Sequence, residues 1–210
     1  MALIKLPEKP KKKFRNRPKL LMHGSIPRPL SGVNPRSIMG KDWWDEQRQK
    51  AYAHNNYHCH CCGIHKSEAK LFQWLEGHEI YKVDYKTYRT KFMGVVALCH
   101  CCHAVVHAGR TVQVYLNEKM STAKFNTILH HGQDLIKKAK LETPIAFRFL
   151  ELVSEGMFVN EANVVLRKEY KSTNPLDLSS WDKWRLYFNG KLYLPKHKCQ
   201  EDWHKFYRGS

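Results

Sequence analysis

Two Cys-x-x-Cys pairs, Cys59/Cys62 and Cys99/Cys102, carry the clearest chemistry in the chain. Four thiolates hold a zinc ion tetrahedrally, and a two-residue gap lets one tight turn aim both sulfurs of a pair at the same ion. The clusters Tyr57-His58-Cys59-His60-Cys61-Cys62-Gly63 and Leu98-Cys99-His100-Cys101-Cys102-His103 therefore read as two knuckles of one structural zinc site. Cys61 and Cys101 compete as ligands, and His58, His60 and His100 are substitutes, but Cys62-Gly63 supplies the glycine that a knuckle turn favours. Cys199 stands alone and reads as a free thiol. Disulfides fit less well, because the cysteine count is odd and Met1–Leu6 is too short for the apolar part of a secretory signal.

A second constellation lies beside the first. His103 and His107 are four residues apart, so on a helix they share a face. The run Leu75-Glu76-Gly77-His78-Glu79-Ile80-Tyr81 precedes them on an expected strand. A strand, a return strand and a helix carrying His-x-x-x-His can converge on one divalent ion and a phosphate. In these residues the chain resembles the HNH family of ββα-metal endonucleases. The match runs through Cys59-x-x-Cys62-Gly63, then His78-Glu79-Ile80-Tyr81 with Asp84, then Gly94, Ala97-Leu98-Cys99-x-x-Cys102-His103, Val105, His107 and Gly109. It is most similar to a bacterial and phage HNH-like branch, and it covers about residues 40–140.

The resemblance implies hydrolysis of DNA phosphodiester bonds by a metal-dependent endonuclease, phage or mobile-element encoded. His78 would be base or ligand, and His103 and His107 ligands of a catalytic Mg2+, Mn2+ or Ni2+ ion distinct from the structural Zn2+. Imidazole suits proton abstraction near neutral pH, and a divalent ion offsets charge developing on phosphate. Two positions depart from the family pattern. Glu79 stands where many members carry histidine, and Gly94 stands where an orienting asparagine usually lies. On a regular strand His78 and Glu79 point to opposite faces, unless the strand bends at Gly77. Glu79 can ligate a hard ion but is a weaker base than imidazole. The alternative is a catalytically degenerate, zinc-stabilised protein that binds nucleic acid or a host factor.

The elements that must position these groups follow from pattern and capping. Lys70–Val83 and Lys91–Leu98 read as paired strands, and His103–Ala108 as a short helix stopped by Gly109. A helix is expected over Asp42–His54, capped by Asp42, with Trp44, Ala51 and Tyr52 inward and Trp43 also read as core. Ser121 caps a helix to about Lys140, with Phe125, Ile128, Leu129 and Ile136 on its apolar side; His130-His131 reads as surface. Thr143 caps the next, with Pro144 first, Gly156 beyond its end, and Ile145, Phe149 and Val153 facing inward. Asn189-Gly190 between Trp184–Phe188 and Lys191–Leu194 predicts a hairpin. The fold class expected is α+β: a small zinc-clamped ββα-metal module with flanking helices and a C-terminal β-hairpin.

Charge points to the partner. The formal charge is +17, from 36 Lys+Arg against 19 Asp+Glu, which favours a polyanion and above all nucleic acid, DNA first. Residues 1–20 hold eight Lys/Arg and one acid, so Lys11, Lys12, Lys13, Arg15 and Arg17 are candidate phosphate contacts on a flexible arm. No apolar run approaches the roughly 20 residues that span a bilayer, so a cytoplasmic location without membrane contact is expected. The organisation expected is a basic, Pro-rich extended arm over 1–40, the zinc module over 41–110, a helical segment over 111–155 and a basic region with the hairpin over 156–210.

Overall fold

A computed structural model describes residues 14–23, 26–170 and 178–208; Lys11, Lys12 and Lys13 lie outside the described residues. At its centre are two long antiparallel strands, β1 (Leu75–Asp84) and β2 (Arg89–Cys99). The strands are rich in branched and aromatic residues, and Asp84 closes the turn between them by accepting the N–H groups of Lys86 and Thr87 at 2.9 and 3.2 Å. The sequence predicts a longer first strand; residues 70–74 are irregular. Ile80 pairs with Gly94 and Tyr81 with Phe92, so Met93 is an extra residue in β2. Gly94 takes φ +135 at this bulge, a conformation open to glycine because it has no Cβ. The irregularity thus lies three residues beyond Gly77, where the sequence places a bend.

Helices α1 (Pro35–His54) and α2 (His100–Val106) pack against this hairpin. The helix expected from Asp42 starts seven residues earlier. Asn34 caps it by accepting the Ser37 N–H at 2.8 Å while Ser37 Oγ accepts the Asn34 N–H at 3.0 Å, and Pro35 fills the first position. Gly40, at φ +85, kinks it, and residues 35–40, expected to be extended, are helical up to that kink. Trp44, Ala51 and Tyr52 are buried, and Trp43 packs on Phe92 and Phe188. After α2 the chain turns at His107 and enters α3 (Ala108–Leu116) directly. Gly109 does not stop a helix: it lies in the first turn of α3, where its lack of side chain is tolerated.

The helical layer continues with α4 (Thr122–Ala139), capped by Ser121, then α5 (Ile145–Ser154) and α6 (Val159–Glu169). In α5 the buried side is Phe147, Leu150, Leu152 and Val153, while Ile145 is exposed. The face is rotated from expectation because α5 packs between α3 and α6 and must bury two sides. Strand β3 (Arg185–Phe188) runs parallel to β2, and β4 (Lys191–Tyr193) returns antiparallel through Asn189 and Gly190, both at positive φ. The sheet order is β1-β2-β3-β4, and α7 (Gln200–Arg208) ends the described chain. The sequence reading anticipates neither α6 nor α7. The fold is α+β, with a Cys/His cluster buried inside a larger assembly of helices and sheet. No helix among the described residues is long and apolar enough to cross a membrane.

Two cores result. One gathers the knuckles, α2 and α4–α6 around Leu98, Val105, Ile128 and Leu150. The other, at the far end of the hairpin, joins Leu30 and Val33 to Tyr81, Trp184, Leu186 and Phe188. The arm expected to be flexible through residue 20 is fixed from Phe14 onward. Phe14 stacks on His58 at 4.0 Å, Asn55 holds the Arg15 backbone at 3.0 and 3.1 Å, and Arg17 N–H donates to His60 carbonyl at 2.7 Å. Arg15 and Arg17 keep their side chains exposed.

Gly77 sets the distance between α1 and β1. A Cβ there would meet Arg48 Cβ at 2.9 Å and Trp44 Cζ2 at 3.0 Å. Alanine gains about 0.4–1 kcal/mol from a less free unfolded chain, but overpacking costs about 1–3 kcal/mol. Gly77→Ala is therefore expected to destabilise by roughly 1–2 kcal/mol, read as a lower denaturation midpoint at unchanged slope; a stabilised variant would refute the close contact.

Candidate metal centres

The first centre is built by the two knuckles. In the first, Gly63 N–H donates to Cys59 carbonyl at 2.9 Å and Cys59 N–H to Ile64 carbonyl at 2.8 Å, a turn that needs the positive φ of Gly63 (+80). The first knuckle is tied to β2 by His60 N–H on the Ala97 carbonyl at 2.8 Å. The second is the end of β2 and the first turn of α2. Sulfur atoms of Cys59, Cys62, Cys99 and Cys102 lie within 4.8 Å of one another. The Cys62–Cys99 separation is 3.7 Å. A tetrahedron with metal–sulfur bonds of about 2.3 Å has edges of about 3.8 Å, whereas a disulfide needs about 2.05 Å. Hydrogen bonds from Cys102, Cys59 and Cys99 hold the Cys62 thiol well below its ordinary range, and those to its neighbouring thiols push Cys102 up. Four crowded thiols, with Cys59 and Cys62 pulled down and Cys99 and Cys102 pushed up, suit a divalent cation that lets all four ionise.

The competing ligands go elsewhere. Cys61 Sγ lies 3.7 Å from the Pro18 carbonyl, and burial pushes the Cys101 thiol up to about 12. His58 bonds the Asn56 carbonyl, His60 Nδ1 the Ala97 backbone, and His100 a carboxylate. His131, read from the sequence as surface, is a correction: its Nε2 lies 3.3 Å from Cys102 Sγ and 3.8 Å from Cys99 Sγ. It is half-buried because α4 packs along α2, while His130 remains exposed. A ring N–H directed at thiolate sulfur stabilises the charge there.

The second centre joins β1 to α2. One nitrogen each of His78, His103 and His107 falls within 4.8 Å of the others. His78 Nδ1 and His107 Nε2 are 3.2 Å apart. Metal–nitrogen bonds of about 2.1 Å would put cis ligands roughly 3.0–3.4 Å apart. His78 Nε2 is buried without a hydrogen-bond partner among the described residues. Burial first, then the neighbouring His107, His103 and His23, lowers the His78 pKa to about 2; burial and His103 lower His107 to about 4. Both rings are neutral near pH 7, the protonation state in which imidazole ligates a divalent ion.

Glu76 is not among the sequence candidates, although it sits two residues before His78 and so shares its face. Its carboxylate takes His103 Nδ1 on one oxygen and His100 Nδ1 on the other at 2.6 Å. Burial raises its pKa, but those two imidazoles outweigh it and hold the group at about 2. Glu76 thereby fixes His103 as the tautomer with Nε2 unprotonated, the carboxylate–histidine arrangement that supports metal ligands.

Glu79 accepts the Tyr81 hydroxyl at 2.8 Å and lines the same cleft as His78. Burial raises its pKa, against the pull of Tyr81 and Arg36. The cleft is about 310 Å³, with His78, His103, His107 and Glu79 on its walls and the exposed side chains of Arg36 and Arg110 at its edges. Neither arginine stands out in the sequence. Arg15 and Arg17 do not line this cleft. Gly94 brings no side chain to it. Comparison with models of protein families, with curated proteins and with solved structures finds no match to this chain. The four-cysteine and three-histidine clusters can coordinate one or two divalent ions on the strength of their own geometry.

Two outcomes test this. Metal analysis is expected to find one divalent ion per chain that survives dialysis, and stripping it with a strong chelator to lower Tm by roughly 10 °C; a chain that keeps its Tm when metal-free would refute a structural role. Glu76→Gln is expected to weaken Mn2+ or Ni2+ binding at the imidazoles about 10–100-fold in titration calorimetry, leaving the tightly held ion in place.

Proposed function

We propose that the chain is a metal-dependent, HNH-like endonuclease that hydrolyses DNA phosphodiester bonds, with zinc in the four-cysteine site and a catalytic divalent ion at the imidazoles. The observation that carries this reading is the convergence of His78, His103 and His107 beside a cleft that also holds a half-buried carboxylate and two arginines. In this reading Cys59, Cys62, Cys99 and Cys102 are structural ligands, and His78, His103 and His107 hold the second ion. When bound, that ion supplies Lewis-acid relief of charge on the phosphoryl group. Arg36 and Arg110 bind flanking phosphate oxygens. Glu79, whose pKa burial raises, accepts a proton from the attacking water as the phosphorus–oxygen bond forms and the leaving oxygen departs. The surplus charge of +17 supports a polyanionic substrate, with Lys11, Lys12, Lys13, Arg15 and Arg17 as further phosphate contacts.

A second reading is a non-catalytic nucleic-acid or host-factor binder. Gly94 favours it, because no side chain there can orient a catalytic group. One experiment separates the two. Wild type is expected to nick supercoiled plasmid with Mg2+, Mn2+ or Ni2+, and His78→Ala and Glu79→Gln to lose at least about 100-fold while retaining zinc. Absence of cleavage with every metal, or equal cleavage by His78→Ala, overturns the nuclease reading; binding that survives His103→Ala with His107→Ala then favours the second.

A further inference from the structure

The outer face of the sheet at the end remote from the metal centres gathers cations in register. Lys82 of β1 lies directly opposite Lys91 of β2, and Arg89 of β2 directly opposite Arg185 of β3. Like charges in such pairs repel. Lys82, Arg89 and Lys91 are exposed, whereas Tyr81, Thr90, Leu186 and Phe188 bury the opposite face. Asp84 is the register partner of Arg89, but its carboxylate accepts the Lys86 and Thr87 N–H groups and the Thr87 hydroxyl. Among the described residues, no carboxylate lies within ion-pair distance of Lys82, Arg89 or Lys91. Arg185 donates to the carbonyls of Asp182 and Trp184, and among the described residues it forms no ion pair.

An aromatic surface lies in the same row. Lys91 is the register partner of Tyr187, which is 40% exposed, and its Nζ stands 5.7 Å from that ring's centre. Lys91 and Tyr187 also line a cleft of about 350 Å³, together with Met39 and Trp43 of α1, Phe92 of β2 and Phe188 of β3, the last two reaching it from the opposite face. Cations in a row with an exposed ring and an aromatic recess match a strand whose phosphates track the charges and whose unpaired base stacks. An anionic surface without bases would use the charges but leave the ring and recess idle.

We propose that this face and its cleft bind single-stranded nucleic acid, with an unpaired base against Tyr187 and phosphates on Lys82, Lys91 and Arg89. The inference goes beyond the nuclease reading, and its test does not depend on cleavage. Full-length, zinc-loaded protein without added magnesium is titrated into a fluorescein-labelled oligothymidylate and a duplex of equal length, followed by anisotropy over a range of salt. Wild type is expected to prefer the single strand. The triple substitution Lys82→Ala, Lys91→Ala, Arg89→Ala should weaken single-strand binding at least tenfold and flatten the log–log salt slope by about 2, with Tm unchanged or raised because repulsion is relieved. Tyr187→Ala should weaken it about tenfold at unchanged salt slope, and Tyr187→Phe should restore it. Unchanged affinity in the triple variant, a preference for duplex indifferent to Tyr187, or equal binding to phosphatidylserine vesicles lost in the same variants each overturns the proposal. Failure of plasmid cleavage with these binding losses intact would remove the nuclease reading and leave this face standing.

Discussion

Four sulfurs drawn to one point are the constraint on which the rest of the structure depends. Cys99 ends β2 and Cys102 lies in the first turn of α2, so an ion held by both fixes how the helix leaves the strand. Cys59 and Cys62 bring the first knuckle to the same place, and with it the N-terminal segment that Asn55, His58 and His60 hold down. His103 follows Cys102 immediately. Leu75 is the register partner of Cys99, which puts Glu76 and His78 of β1 at a set distance from α2. The spacing of the imidazoles is therefore inherited from the spacing of the sulfurs.

The second cluster is electrostatically costly as it stands. Three imidazoles crowd together, and burial disfavours charging His78 and His107, which titrate well below the ordinary histidine range. Glu76 offsets this from one side only: its carboxylate is spent on His100 and His103 and does not reach His78. A buried ring nitrogen without a partner, as at His78 Nε2, costs roughly 1–3 kcal/mol, and structures retain such groups where something else is served. Neutral imidazoles with aligned lone pairs are the form that binds a divalent ion, so the features that weaken the fold are those that favour coordination.

Much of this is legible in the sequence, for reasons that differ by element. The Cys-x-x-Cys pairs and His103/His107 can be read because their geometry is local: a turn or a helix sets it within a few residues. Ser121 and Asn189-Gly190 can be read for the same reason, since caps and type I′ turns are short-range devices. What stays hidden is tertiary. His131 comes to the sulfurs only because α4 lies along α2. The inward face of α5 depends on having neighbours on two sides. Gly109 looks like a helix stop until the turn at His107 makes it part of a new helix. Glu76 is the instructive omission, because strand alternation alone places it on the face of His78, yet its partners His100 and His103 are known only once β1 meets α2.

The bulge at Met93-Gly94 links the two ends of the sheet. An extra residue in one strand bends it and increases the local twist. On the side of the metal centres β1 presents His78 to α2; beyond the bulge the same strand turns Tyr81 and Val83 into the second core and Lys82 outward. Helix α1 spans both regions. Arg36 lines the cleft of the imidazoles and Met39 the aromatic cleft, three residues on, where helical neighbours lie about 5–6 Å apart. Trp44 and Trp43 divide in the same way, one to each cleft, because consecutive helical residues point about 100° apart. Gly94 is thus the residue whose positive φ permits the bend. A side chain there would meet no neighbour within 4 Å, but it would strain the joint that sets the two clefts on either side of one helix.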